Sequence, residues 1–301
     1  VATWRPPTID GISPQRTVLR GMVPADGIEY FAAAAGDSPI PVGTKLSPGQ
    51  LLSVLQPAWF HPDVDPGLEP AGLASLKIPI IARTADILLV NKPHGLPATP
   101  QGRVVWNCAQ SRLRRELGEP DLVAVHRLDR LTGGLLLFSR RQSTRGLLHT
   151  QFERREVAKT YEAIAPTDAV VPGQGAVEEE PMLVELRMRK VKHDPQVKVV
   201  AEGGKITRTW IRKLPATAGS AAGMSGEPDE GLARYELRPI TGHTHQLRVL
   251  MNHCGAPIVG DDTYPSYKPR PWEQLTPAMG LSATMLGVTV PGEGYREFRL
   301  R

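Results

Sequence analysis

With 301 residues, 41% of them apolar, and a formal net charge of +5, the chain has material for a sizeable core in one large domain with an appendage, or in two domains. Its two cysteines, Cys108 and Cys254, exclude a disulfide framework and point to a reducing compartment. No apolar run approaches the roughly 18 residues of a membrane span, and the start Val-Ala-Thr-Trp-Arg-Pro-Pro lacks the charged and apolar regions of a signal peptide, so cytoplasm is the expected location.

Residues 1–76 are rich in Pro, Gly and Ala and show little sustained periodicity; a helix is expected at 28–35, with turns at Pro41-Val-Gly43 and Ser47-Pro-Gly49. This reads as an accessory unit over 1–76 ahead of a main domain over 77–301. From there the pattern sharpens. Ile87-Leu-Leu-Val90 predicts a strand with Asn91-Lys-Pro-His-Gly95 as its turn, and a helix over 105–117 places Trp106, Ala109, Leu113 and Leu117 on one face. Strands are expected over 123–127, 135–138 and 159–165, with a helix over 143–153. Residues 182–214 alternate like antiparallel strands, 215–232 read as a mobile surface loop, 235–239 as a strand and 244–254 as a helix. Strands dominate and do not alternate regularly with helices, which predicts an α+β fold built on a mixed, mostly antiparallel sheet.

Charge is distributed unevenly along these elements. Residues 1–80 hold 5 Lys/Arg against 7 Asp/Glu, whereas residues 101–160 hold 12 against 6, a net of +6. A solvated, salt-bridged helix over 111–119 accounts for part of this; the rest suits a polyanion such as nucleic acid. Within the basic stretch, His126-Arg-Leu-Asp-Arg-Leu-Thr-Gly-Gly134 sets Asp129 between Arg127 and Arg130, between two short apolar runs. Neighbouring cations favour an ionised carboxylate, which makes Asp129 a candidate nucleophile or base at the mouth of a sheet. On Asp129 alone, a loop tied down by surface ion pairs is the better reading.

A second constellation, Thr241-Gly-His-Thr-His-Gln-Leu-Arg248, opens an apolar helical stretch. His243 and His245, with His253 and Cys254, do not match the spacing of a standard zinc motif, and no metal is expected. A capped helix start whose histidines satisfy backbone groups is the plainer alternative.

Together the two runs resemble the RluA-type RNA pseudouridine synthases. The signature around that family's catalytic aspartate is similar to His126–Asp129 with Thr132, Gly133, Gly134 and Leu135–Leu137; its second is similar to Thr244–Arg248 continuing into Gly255-Ala-Pro-Ile-Val-Gly-Asp261. Leu88-Leu-Val-Asn-Lys-Pro-His-Gly95 and Lys159-Thr-Tyr161-Glu-Ala163 also look alike, and four blocks in the family's order make a chance match very unlikely. The chain departs from the pattern in three places. Gly133 stands for a usual serine, Gly242-His243 for Gly-Arg, and Leu281-Ser-Ala283 for Leu-His-Ala. Residues 1–76 show no convincing S4-type module.

The resemblance implies a pseudouridine synthase fold with a central catalytic cleft. It implies isomerisation of uridines in structured RNA, ribosomal or transfer, with no cofactor, no DNA partner and a monomeric enzyme. A uridine is extruded from its stack, Arg127 fills the vacated space, and Asp129 meets the flipped nucleotide. Arg248 pairs with Asp129, and Tyr161 stacks on the uracil and helps remove its C5 proton. Lys92, Lys159, Arg130, His245 and Gln246 are expected to contact the RNA, and arginines 112, 114, 115, 140 and 141 its phosphates. Two other functions compete: a non-catalytic protein that binds structured RNA, and a glycoside hydrolase using Asp261 and Asp262 as its carboxylate pair.

Overall fold

In chain order the elements are β1 (Gln15–Leu19), β2 (Tyr30–Ala32), β3 (Lys45–Leu46), β4 (Gln56–Phe60), α1 (Gly72–Ser75), β5 (Ile80–Arg83), β6 (Ile87–Lys92), α2 (Ala109–Leu117), β7 (Val123–Ala124) and β8 (Gly133–Ser139). They continue with α3 (Gln142–Glu153), β9 (Ala158–Pro166), β10 (Val170–Val171), β11 (Gly175–Ala176), β12 (Met182–Lys190), β13 (Val197–Val199), β14 (Lys205–Lys213), β15 (Leu232–Pro239), α4 (Gln246–His253), β16 (Leu281–Val290) and β17 (Gly294–Arg299). The computed structural model describes residues 4–34, 38–215, 230–275 and 278–300; most of the loop expected over 215–232 lies outside them. Two compact units form, Val1–Glu69 with Thr99–Leu122, and Pro70–Ala98 with Val123–Arg301.

The first unit carries an antiparallel sheet in the order β1-β4-β2-β3. The helix expected at 28–35 is instead β2 over its central residues. Tyr30 and Ala32 point into a cluster with Leu19, Val23, Leu46 and Ala58, so the operative period is two, and pairing with β3 and β4 on either side overrides the local preference of an alanine-rich run. The helix expected over 105–117 starts later, at Ala109. The amides of Val105, Trp106 and Asn107 are taken by the Glu69 carboxylate at 2.7, 2.6 and 2.8 Å. Nor is α2 a solvated face: Arg112 and Arg114 are buried. Arg114 donates to Leu122 O (2.7 Å), Ser13 Oγ (2.8 Å) and Gly11 O (3.1 Å), while Arg115 lies 3.9 Å over the Trp106 ring. These guanidinium groups brace their own unit, a correction to the expectation that they meet phosphate.

The second unit holds a mixed sheet in the order β13-β12-β14-β15-β9-β16-β8-β6-β5, with β17 on β16 and β7 on β8. Among the described residues its pairings are antiparallel except β8 with β16, where Ser282 faces Gly133 and Ala283 faces Gly134. That junction needs Gly134: its φ is +105°, and a Cβ there would sit 2.2 Å from Ala283 O. One half of the sheet buries Val184, Leu186, Ile211, Tyr235 and Leu237 with Val249, Leu250 and Met251 of α4; the other buries Leu135, Leu137, Leu286 and Val288 with Leu148 of α3. The fold is α+β with a mixed, mostly antiparallel sheet, as the strand-rich pattern predicts.

Two local features then place the site. β7 stops at Ala124, short of the predicted 127: Val125 N still donates to Leu137 O at 2.9 Å, but the return bond is lost to the His126 imidazole, whose Nε2 accepts from Leu137 N at 3.1 Å. The chain is thereby released into the loop that bears Asp129. Across the sheet, Ala283 faces both Gly134 of β8 and Tyr161 of β9, so register brings Tyr161 beside that loop.

Candidate active site

A cleft of about 620 Å³ opens in the second unit, lined among others by Arg127, Asp129, Lys159, Tyr161, His245 and Arg248. This is an ordinary size for a site that receives a small ligand or one nucleotide. Its basic walls, Arg127, Arg155, Lys159, Lys190 and Arg248, outnumber its acids, Asp129 and Glu153. Asp129 is 27% exposed, reachable from the cleft, and its Oδ2 lies 3.5 Å from Arg248 Nη1 and 3.8 Å from His245 Nε2.

Arg248 sits in the first turn of α4 and is itself held from behind. Its Nε donates to Asp261 Oδ2 at 2.7 Å and its Nη2 to Asp261 Oδ1 at 2.5 Å, with further bonds from Nη2 to Thr263 Oγ1 (2.7 Å) and Asp262 Oδ1 (3.1 Å). Asp261 is in turn fixed by the amides of Thr263 (2.8 Å) and Tyr264 (3.1 Å). Burial alone would lower the guanidinium's pKa; Asp261 first, then Asp129 and Asp262, more than offset this and hold it above its ordinary value. The sequence reading gave Arg248 to Asp129 alone and missed this brace. Its signal was the acid-rich turn Asp261-Asp262-Thr263, since a buried arginine needs a carboxylate. The same bonds engage the two carboxylates a glycoside hydrolase would need.

Tyr161 lines the cleft, and among the described residues nothing hydrogen-bonds its hydroxyl. Burial, and then the charge of Asp129, raise the phenol's pKa, so it meets a ligand as a neutral donor. His245 begins α4 at φ +56°, a left-handed conformation costly for a non-glycine residue, and its Nδ1 is 3.2 Å from Tyr264 Oη. The carbonyl of His245 accepts the helix's first bond, from Val249 N at 2.8 Å. Lys159 is half-buried, and its ammonium has no partner among the described residues; Arg127 is exposed at the cleft and equally unengaged. His126 stacks on Phe152 at 4.9 Å, and burial with the charge of Lys159 pushes it down to about 3, so it is neutral.

Three residues expected at the RNA are held inside the protein. Lys92 is fully buried, its ammonium on Leu96 O (2.7 Å), Pro93 O (2.9 Å) and Arg130 O (3.2 Å), and no phosphate reaches it. Burial pushes it down to about 7, opposed by the charge of Asp129. Gln246 borders the cleft, but its amide is occupied by Thr209 Oγ1, Arg208 O, Thr241 Oγ1 and the His243 amide, so it fixes the turn before α4. Arg130 donates to Asp262 (3.4 Å) and Arg270 O (3.1 Å) and lies 4.8 Å over Trp272, tying the Asp129 loop to the 260–272 segment. Among the described residues, no three His, Cys, Asp or Glu side chains gather as metal ligands.

This sheet is that of the pseudouridine synthase fold. The solved structure of human RNA pseudouridylate synthase domain containing 1 shares it at TM-score 0.57 and 25% identity, over 78% of this chain and 86% of that one. Residues 86–253 match the family described as RNA pseudouridylate synthase. The dual-specificity RNA pseudouridine synthase RluA of Salmonella typhi is 33% identical over 218 residues, 71% of this chain and 88% of the relative. Human pseudouridylate synthase RPUSD2 is 30% identical over 189 residues, 63% of this chain but 31% of that protein. The chain thus belongs to the RNA pseudouridine synthase family, in its RluA-type branch.

Proposed function

We propose that this enzyme converts particular uridines of structured ribosomal or transfer RNA to pseudouridine, taking the extruded nucleotide into the cleft beside Asp129. The C1′–N1 bond breaks, the base turns, a C1′–C5 bond forms, C5 gives up its proton and N1 takes one up; atoms and electrons balance without an added reactant. The observation that carries this reading is one cleft holding a reachable carboxylate, a braced arginine and a phenol and cations that have no partner among the described residues.

The residues divide the work. Arg127, exposed and unengaged, suits the gap left by the extruded base, where a guanidinium plane stacks on its neighbours. Lys159 and Arg155 meet the phosphates flanking the flipped nucleotide. Asp129 acts by addition to the sugar, addition to the base or removal of the ribose 2′ proton; each route needs it ionised, and Arg248 Nη1 stands 3.5 Å from its Oδ2. Tyr161 covers the uracil and offers a neutral hydroxyl near C5. Closure over the base keeps water from the cleaved sugar, which would otherwise give an abasic site.

The test is a comparison of pseudouridine maps of total RNA from cells with and without this gene. Loss of one or a few sites in ribosomal or transfer RNA supports the reading. Identical maps, with RNA binding by the purified protein, favour a non-catalytic RNA-binding protein.

A further inference from the structure

The turn that follows β6 touches the Asp129 loop more than the chemistry requires. Three successive carbonyls of that loop each have a donor: Asp129 O takes the Thr132 amide (3.1 Å), Arg130 O takes the Gly95 amide (2.9 Å) and Lys92 Nζ (3.2 Å), and Leu131 O takes His94 Nδ1 (2.8 Å). Two of the three are served by residues 92–95. A carbonyl only accepts, so His94 carries its proton on Nδ1, and Nε2 is left to accept from Ser282 Oγ, 3.1 Å away on β16. Burial first, then the charges of Lys92 and Arg270, lower the pKa of the ring and keep it in that neutral form.

The ring occupies the space over Gly133. A Cβ at position 133 would lie 2.4 Å from His94 Nε2, 2.7 Å from its Cδ2 and 2.9 Å from its Cε1. Gly133 and Ser282 thus meet at one imidazole: the first makes room for it and the second donates to it.

We propose that His94 is a positioning residue for this active site: bridging Leu131 O and Ser282 Oγ over Gly133, it fixes the backbone that aims Asp129 into the cleft. The catalytic part rests on the pseudouridine synthase reading; the mechanical part does not. A misplacement of about 1 Å can cost on the order of a hundredfold in rate, so a loop held by three carbonyls is sensitive to the loss of one donor.

The test uses the full chain and tritium release from [5-³H]uridine-labelled total RNA of cells lacking the gene. His94→Ala should lower kcat about tenfold or more, with KM and filter-binding affinity for that RNA within about twofold. His94→Asn, whose amide nitrogen stands where Nδ1 was, should recover kcat to within about threefold. Gly133→Ser should cost at least about tenfold in the wild-type background and at most about threefold beside His94→Ala, a strong non-additivity. Hydrogen exchange of the 128–134 amides, read without any substrate, should quicken in His94→Ala and return toward the wild type in His94→Asn.

Unchanged kcat in His94→Ala, or additive costs of the two changes, would overturn the positioning role. Unchanged exchange would overturn the clamp itself, even if the wild type released no tritium, a result that would instead reject the pseudouridine reading.

Discussion

Arg248 makes its shortest bonds away from Asp129. Four of its hydrogen bonds, at 2.5 to 3.1 Å, go to Asp261, Asp262 and Thr263, while the Asp129 carboxylate stands at 3.5 Å. A guanidinium fixed from behind is a charge placed in advance, and the looser contact in front leaves the Asp129 oxygens open to a nucleotide. Lysine keeps the charge but not the planar fork. Arg248→Lys should therefore lower single-turnover rate about a hundredfold while RNA affinity changes less than about threefold. Equal losses of rate and affinity would mean that Arg248 serves binding instead. Asp261, whose side chain is wholly buried against Arg248, is also a stability residue. Asp261→Ala leaves a buried cation without its main partner and should cost about 3–5 kcal/mol in urea unfolding; a cost under about 1 kcal/mol, the range of exposed pairs, would contradict the brace.

Among the elements, the turn after β6 shows how a lysine becomes a strut. Lys92 brings together Pro93, Leu96 and Arg130 carbonyls, and its removal leaves three acceptors without that donor. Lys92→Met keeps the length of the side chain and should still lower stability by about 2–4 kcal/mol, since each unsatisfied buried polar group costs roughly 1–3 kcal/mol; an unchanged urea midpoint would reject this role. The resemblance assigned Lys92 to RNA, and the sequence offered nothing against it, because backbone carbonyls leave no trace in side-chain identity. Where apolar spacing carries the information, the reading succeeded: β6, β8, β9 and α3 each cover the segment their periodicity predicts and run one or two residues past it, and α4 lies within its own. It failed at β2, where pairing from both sides outweighs an alanine-rich preference, and at the start of α2, where Glu69 reaches from outside the segment. In the site, Asp129, Tyr161 and Arg248 were readable as chemistry-bearing types in ordered motifs. The contact of His94 with Gly133 was not, because it joins residues 39 positions apart through the sheet.

At the scale of the whole molecule, burial lowers the pKa of His94, His126, His243 and His245, His126 to about 3. Each then binds a proton less readily folded than unfolded. Where the unfolded chain holds more protons, stability rises with pH, so it is full above the unfolded value near 6.5 and is lost on acidification, for His126 down to about pH 3. The urea midpoint should fall from pH 7 to pH 5, with His126 supplying up to about 1.4 kcal/mol per pH unit. His126→Gln should flatten that slope; a midpoint that rises on acidification would contradict the assignment. The unengaged cations at the cleft also make RNA affinity fall with added salt.

The most direct measurement is the pseudouridine content of RNA from gene-deficient cells after incubation with wild type and with Asp129→Asn, read by mass spectrometry after carbodiimide labelling, with RNA affinity measured in parallel. The wild type should form pseudouridine, and Asp129→Asn should bind the same RNA within about threefold yet form none, because its carboxamide carries no charge. Pseudouridine formed by Asp129→Asn at the wild-type rate would contradict the central role given to that carboxylate.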